Sequence, residues 1–246
     1  MKLLIDIGNT TSSFGLWGSS KLSMTTNIEN KKFLFTAKKY IKNNINEILF
    51  TSVISKLENK KVKDQLKKLF KCKIKQIKST SNLLKIKNGY TQPGKLGDDR
   101  WATIVASFIF YKEPLIIIDC GTAVSIDMVN KKGRHMGGYI LAGFDGYKKS
   151  FKSAYYLKDT KIKQSISLQK KTFPKQTGEG ITKGYLIMVI STIESLYNQM
   201  IKNEKVFPKI LISGGYGEII SKNLSVKNKY EPNLVLKSLG IISDSS

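Results

Sequence analysis

The segment Leu3-Leu4-Ile5-Asp6-Ile7-Gly8-Asn9-Thr10 recurs 113 residues further on as Ile116-Ile117-Ile118-Asp119-Cys120-Gly121-Thr122-Ala123. Each copy is a short apolar strand that stops at an aspartate, has a glycine two residues later, then small hydroxyl residues and a further strand. An offset of nearly half the 246 residues predicts two similar α/β halves facing one another, each a mixed sheet flanked by helices. The boundary between them is expected near Pro114, giving halves 1–114 and 115–246.

The repeated turns have their own chemistry. A strand that stops at Asp-x-Gly can turn sharply, because glycine adopts backbone torsions that other residues resist. In the first copy, Asn9, Thr10, Thr11, Ser12 and Ser13 follow with donors and little bulk. Such a turn can cradle phosphate oxygens, and an aspartate at the strand end can hold Mg²⁺ directly or through water. The second copy offers Asp119, Gly121 and Thr122 for the same work. Together the two form a clamp for the β- and γ-phosphates of a nucleotide. Read alone, each would pass for an ordinary strand-to-strand turn.

Two further clusters carry chemistry. Gly97-Asp98-Asp99-Arg100 opens a helix. Acidic residues suit a helix N-terminus, so capping is the plain reading. Two carboxylates beside an arginine exceed what a cap needs, however. A carboxylate can take the proton of an acceptor hydroxyl, and a guanidinium can grip a substrate carboxylate. Ser213-Gly214-Gly215-Tyr216-Gly217 follows a strand and precedes a helix; it reads either as a shelf for a nucleotide base or as a glycine-rich turn. The chain carries one histidine, His135. It cannot build a multi-histidine metal site, and a supporting role is expected. Neither a Walker A lysine motif nor a protein-kinase glycine loop occurs.

Periodicity places strands at 2–7, 11–17, 45–53, 115–119, 122–129, 134–141 and 209–213. It places helices at 31–42, 58–70, 99–111, 180–202 and 233–242. The 180–202 helix is apolar over much of its surface, so it is expected to be buried or at an interface. The polar connection 79–98 is long, and such loops are often functional.

Composition excludes several classes. Two-fifths of the residues are hydrophobic, which fits a folded globular chain. No apolar run reaches the roughly 18 residues of a membrane helix, and the apolar stretch 1–7 is too short for a signal peptide. Cys72 and Cys120 form neither a metal spacing nor a disulfide framework. A cytoplasmic protein with no membrane association is expected. The net charge of +24 could mark a nucleic-acid binder, but 40 of the 42 basic residues are lysine. Dedicated nucleic-acid surfaces mix in arginine for bidentate contacts. The lysine excess therefore reads as compositional drift on exposed positions, and specific nucleic-acid binding is not expected. The converse is useful: a retained arginine such as Arg100 points to a requirement for a guanidinium.

The paired Asp-x-Gly loops resemble those of the actin, hexokinase and Hsp70 superfamily of ATP-binding proteins. The finer pattern resembles type III pantothenate kinases. Asp6-Ile7-Gly8-Asn9-Thr10 is similar to their opening motif, and Gly97-Asp98-Asp99-Arg100-Trp101 to their Gly-x-Asp-Arg motif. Asp119-Cys120-Gly121-Thr122-Ala123 is similar to their Asp-x-Gly-Thr-Ala motif. Gly137-Gly138-Tyr139-Ile140 followed by Gly143 resembles their Gly-Gly-x-Ile-x-Pro-Gly turn, with Ala142 standing where proline is usual.

The resemblance implies two ribonuclease-H-like (actin-like ATPase) halves, paired in a homodimer, and the reaction of ATP with pantothenate to give 4′-phosphopantothenate and ADP. It implies that Asp6, Ile7, Gly8, Asn9, Thr10, Thr11, Ser12, Ser13 and Thr122 bind ATP. Asp119 would hold a monovalent cation, K⁺ or NH₄⁺, used beside Mg²⁺. Tyr90, Gly97, Asp98, Asp99, Arg100 and Thr177 would contact pantothenate, with Asp99 as general base. The alternatives are a kinase of another small hydroxylated acceptor and a non-catalytic regulator on the same fold.

Overall fold

A computed structural model describes residues 1–151, 157 and 173–245. The chain divides into two compact units. The first comprises 1–112, 133–135 and 233–246; the second comprises 113–132 and 136–232. The expected second half, 115–246, thus differs from the contact-defined unit at its end. The closing segment packs with the first unit.

In the first unit, β1 (Lys2–Ile7) is central. It pairs antiparallel with β2 (Thr11–Gly18) and parallel with β4 (Glu47–Ser52). Strand β3 (Lys21–Glu29) pairs antiparallel with β2, and β5 (Lys73–Gln76) parallel with β4. The sheet order is β3-β2-β1-β4-β5. Because β1 is covered on both faces, it reads as a continuous apolar run. Leu3, Ile5 and Ile7 pack with Phe33 and Ala37 of α1 (Phe33–Lys39) and Leu66 of α2 (Lys56–Leu69). Helix α2 starts on a capping box in which the Ser55 hydroxyl and the Glu58 carboxylate serve each other's backbone N–H. Helix α3 (Asp98–Tyr111) buries Trp101, Ala102, Ile104 and Val105. It packs against α7 (Leu234–Asp244). The close approach of α7 to β2 requires a glycine, since a Cβ on Gly240 would overlap the Trp17 ring. The Trp17 indole N–H donates to Asp244 at 2.9 Å.

The second unit repeats the plan. Strand β8 (Leu115–Cys120) pairs antiparallel with β9 (Ala123–Val129) and parallel with β11 (Lys209–Ser213). With β10 (His135–Ala142) and β12 (Asn228–Tyr230) the order is β10-β9-β8-β11-β12. This is the first sheet's order, strand for strand. Helix α5 (Thr177–Glu204) buries Tyr185, Leu186, Val189 and Ile193 against this sheet, alongside α4 (Phe144–Ser150) and α6 (Gly217–Asn223).

Periodicity found the central strands and long helices and missed β3, β5, β12 and α4. Strand β3 lies at a sheet edge and is mostly exposed, so it has no apolar alternation to read. The connection 79–98 contains a small hairpin, β6 (Asn82–Leu83) with β7 (Ile86–Lys87). Its turn residues Leu84 and Lys85 both have positive φ, 48° and 69°. Glycine or asparagine normally marks such a turn, so nothing in the sequence announced it. No helix among the described residues is long and apolar enough to cross a membrane.

Candidate active site

The repeat holds at the level of register. Asp6 lies at the end of β1, opposite Ser13 of β2 and Thr51 of β4. Asp119 lies near the end of β8, opposite Ser125 of β9 and Ser213 of β11. Each aspartate therefore sits between two strands that present a hydroxyl residue at its level. In the first unit the contact is direct: the Thr51 hydroxyl donates to Asp6 Oδ1 at 3.0 Å. Sequence reading missed Thr51 and, although it singled out Ser213, missed its pairing with Asp119, because both relations exist only across strands.

The first turn is compact. The Gly8 N–H donates to Thr11 O at 2.9 Å. Asn9, Thr10 and Thr11 are exposed, Ser13 is half-buried and Ser12 is buried. The Asn27 amide donates to Ser13 Oγ at 2.8 Å. A cavity of about 260 Å³ opens beside this turn, lined by Ile7, Asn9, Ser12 and Asn30 together with Phe33 and α2 residues that include Lys61.

The second turn, in its own unit, is backed by two close glycine approaches. A Cβ on Gly143 would collide with the carbonyl oxygens of Gly121 and Thr122, and the Gly143 N–H donates to Thr122 O at 3.1 Å. A Cβ on Gly214 would lie 2.5 Å from Cys120, and φ there is +87°, a torsion that glycine tolerates. The Tyr216 N–H reaches Cys120 O at 3.2 Å. Gly214 thus supports the second turn, which accounts for a glycine at that position, whereas a Cβ on Gly215 would meet nothing. Ala142 in place of the usual proline leaves the Gly143 contact intact, and its carbonyl accepts from the Tyr185 hydroxyl at 3.3 Å. Burial raises the Tyr185 hydroxyl above its ordinary value and pushes the Tyr216 hydroxyl up to about 12.

The acceptor cluster belongs to the first unit. Gly97 is the N-cap residue of α3, and no side chain caps this helix. Of the two first-turn carboxylates, Asp99 serves N–H groups of the helix start, whereas Asp98 is engaged outside the helix. Asp98 Oδ1 accepts from the Ser79 N–H at 2.8 Å, and Oδ2 from the Gln76 amide at 3.1 Å. These bonds anchor the start of the 79–97 connection to α3. Burial raises the Asp98 carboxyl, and the Ser79 and Gln76 donors oppose it. Asp99, one residue on and about 100° around the helix, points elsewhere. Its Oδ1 accepts from the Arg100 N–H at 2.7 Å. A Cβ on Gly97 would lie 2.5 Å from that same oxygen, so glycine makes room for the carboxylate. Burial pushes the Asp99 carboxyl above its ordinary value, against the lowering effect of Arg100.

Tyr90 and Arg100 are brought together across the connection. Arg100 Nη1 donates to the Tyr90 hydroxyl at 3.2 Å, and the guanidinium lies 5.7 Å from the ring centre. The His135 ring, fully buried, stacks on Tyr90 at 5.7 Å and 20°. The segment 133–135 is held in this unit by a bond from the Lys87 N–H to Gly133 O at 3.1 Å. Asn88, which sequence reading passed over, knits the connection: it accepts from the Tyr90 N–H at 2.9 Å and donates to Ser79 Oγ at 3.0 Å. Thr177 is exposed at the first position of α5 in the second unit.

Among the described residues no group of three or more His, Cys, Asp or Glu that could hold a metal ion occurs. Asp6 and Asp119 offer single carboxylates amid hydroxyls and carbonyls. This all-oxygen donor set fits hard cations such as Mg²⁺ or K⁺ that keep water and phosphate ligands.

Comparison with known proteins agrees with the geometry. A family model described as type III pantothenate kinase matches residues 2–199. The type III pantothenate kinase of Persephonella marina is 32% identical, over 97% of this chain and 96% of its own. That of Sulfurihydrogenibium sp. is 31% identical, over 97% and 98%. Among solved structures, a protein described as a Baf family transcriptional activator from Campylobacter jejuni aligns with TM-score 0.64 and 22% identity, over 98% of this chain and 97% of that one. A Listeria monocytogenes protein described as an N-acetylmannosamine kinase aligns with TM-score 0.51 and 12% identity, over 99% and 98%. At these identities the two structures show the fold alone.

Proposed function

The chain belongs to the type III pantothenate kinase family, and from that premise we propose how its residues carry out the reaction. The enzyme phosphorylates pantothenate with ATP, in coenzyme A biosynthesis.

Asp99 is the general base. The pantothenate hydroxyl oxygen attacks the γ-phosphorus, its proton passes to Asp99, and the bond to the ADP oxygen breaks. What carries this assignment is the contrast within the acidic pair: both Asp98 oxygens are taken by Ser79 and Gln76 from other segments, whereas Asp99 bonds backbone N–H groups of its own turn, Arg100's and its own. A carboxyl raised by burial is also a better proton acceptor than an ordinary one. Arg100 grips the pantothenate carboxylate in a charge-assisted pair. Tyr90, already bonded to Arg100, and Gly97 contact pantothenate with it, and Thr177 is assigned the same role. Asp98, expected among the substrate contacts, acts by holding the connection that carries Tyr90.

Asp6 to Ser13 and Thr122 bind the ATP phosphates. Mg²⁺ and a monovalent cation would neutralise phosphate charge when bound, with Asp6 and Asp119 as their carboxylates. A homodimer in the cytoplasm is the expected state. It is supported by large apolar side chains left exposed on β10 (Met136, Tyr139, Ile140) and on α5 (Ile187, Met188). The test is ADP release from ATP with Mg²⁺ and K⁺. Release that requires pantothenate supports the reading; equal release with another hydroxylated acid in its place, or none with pantothenate, overturns it.

A further inference from the structure

The peptide groups of the first phosphate turn are oriented by a residue outside it. Asn30 follows the end of β3. Its amide Nδ2 donates to Gly8 O at 2.9 Å and to Asn9 O at 3.2 Å. Its backbone N–H donates to Thr10 O at 3.1 Å. Its Oδ1 accepts from the Ser12 hydroxyl at 2.7 Å. One residue therefore captures three successive carbonyl oxygens of the turn, and the Gly8 N–H takes the fourth, that of Thr11.

In a planar trans peptide the C=O and the following N–H point in opposite directions. Carbonyls of residues 8, 9 and 10 drawn toward Asn30 aim the N–H groups of Asn9, Thr10 and Thr11 away from it. Successive N–H groups turned one way form a concave anion site, and carbonyl oxygens turned that way would repel a phosphate. We propose that Asn30 is a positioning residue for ATP: it holds the turn with its N–H groups toward the phosphates and its carbonyls away from them. This rests on the reading of Asp6 to Ser13 as the ATP phosphate loop.

The test is steady-state kinetics with each substrate varied, together with calorimetric affinity for a non-hydrolysable ATP analogue. Asn30→Ala should raise the KM for ATP about 10-fold or more and weaken analogue binding in parallel. The KM for pantothenate should stay within about twofold of wild type. Asn30→Asp is the discriminating variant. It keeps the volume and the acceptor for Ser12 but turns an anionic oxygen toward the Gly8 and Asn9 carbonyls. A packing role predicts that Asp is milder than Ala; the orienting role predicts that Asp is worse for ATP. If Asn30→Ala does not fold, Asn30→Asp carries the test by itself: it should raise the KM for ATP about 10-fold or more while the KM for pantothenate stays within about twofold.

Unchanged ATP parameters in the folded variants, equal loss for both substrates, or Asp milder than Ala would each overturn the proposal. Thr10→Val separates this failure from that of the underlying reading. If Thr10→Val raises the KM for ATP while the Asn30 variants do not, only the role of Asn30 falls. If none of them does, the phosphate-loop reading falls with it.

Discussion

Replacing Asp99 with asparagine tests the mechanism most sharply, because the structure predicts opposite effects on activity and stability. Asparagine is isosteric and retains an oxygen to accept the Arg100 N–H at 2.7 Å. It also fits beside Gly97 as the carboxylate does. It cannot accept the pantothenate proton. A general base contributes about 10²- to 10⁴-fold, so turnover should fall at least 100-fold, about 2.7 kcal/mol of transition-state stabilisation. The stability sign follows from the raised carboxyl. A carboxyl whose folded pKa exceeds its unfolded value costs stability once pH rises above the unfolded value. At pH 7 the cost is present, and asparagine removes it. Thermal unfolding of Asp99→Asn should therefore match or exceed wild type, with ATP-analogue affinity unchanged. Asp98→Asn should do the reverse. Its new amide would face the Gln76 amide, and rotating Gln76 would break the Asn59 donation to Gln76 Oε1 at 3.1 Å. That costs about 1–3 kcal/mol, while turnover of the folded enzyme is largely kept. Near-normal turnover in Asp99→Asn together with abolished turnover in Asp98→Asn would refute the reasoning and shift the motif by one residue.

Gly97→Ala has an allowed backbone, φ −55° and ψ 139°, so its effect should come from the Cβ pressing on Asp99. Turnover should drop at least 10-fold with the KM for ATP little changed, and an unaffected turnover would remove the close-approach argument. Because burial raises Asp99, the acid limb of kcat/KM should fall at a pH above the ordinary carboxylate value of about 3.9. A limb at or below that value would count against Asp99 as the base. Asp119→Asn should abolish the difference in rate between K⁺ and Na⁺ buffers; equal wild-type rates in K⁺, NH₄⁺ and Na⁺ would dismiss the cation role. If the lysine excess is drift, duplex DNA should be bound weakly and released between about 50 and 200 mM salt, and a sequence-selective complex at physiological salt would revive the regulator reading.

Much of the architecture is local enough to be legible in the sequence. An apolar run ending in Asp-x-Gly specifies a buried strand and a sharp turn within a single short segment, so its recurrence is enough to announce the duplicated sheets. The same holds for Gly97-Asp98-Asp99-Arg100 as a helix start, and for α5 as a long helix with a buried apolar face. Other features depend on segments far apart in the chain. The bonds that engage both Asp98 oxygens exist only because Gln76 and Ser79 arrive beside it. The hydroxyl partner of Asp6 was settled by the parallel register of β4. The carbonyl orientation of the turn after β1 is set by Asn30, 22 residues from Gly8, and the need for glycine at 143 and 214 by backbone passing within contact of another turn. Hydrogen bonds and steric exclusion act over a few ångströms whatever the separation along the chain. Periodicity and turn chemistry could therefore fix each element, and only the assembled sheets could fix which side chains meet.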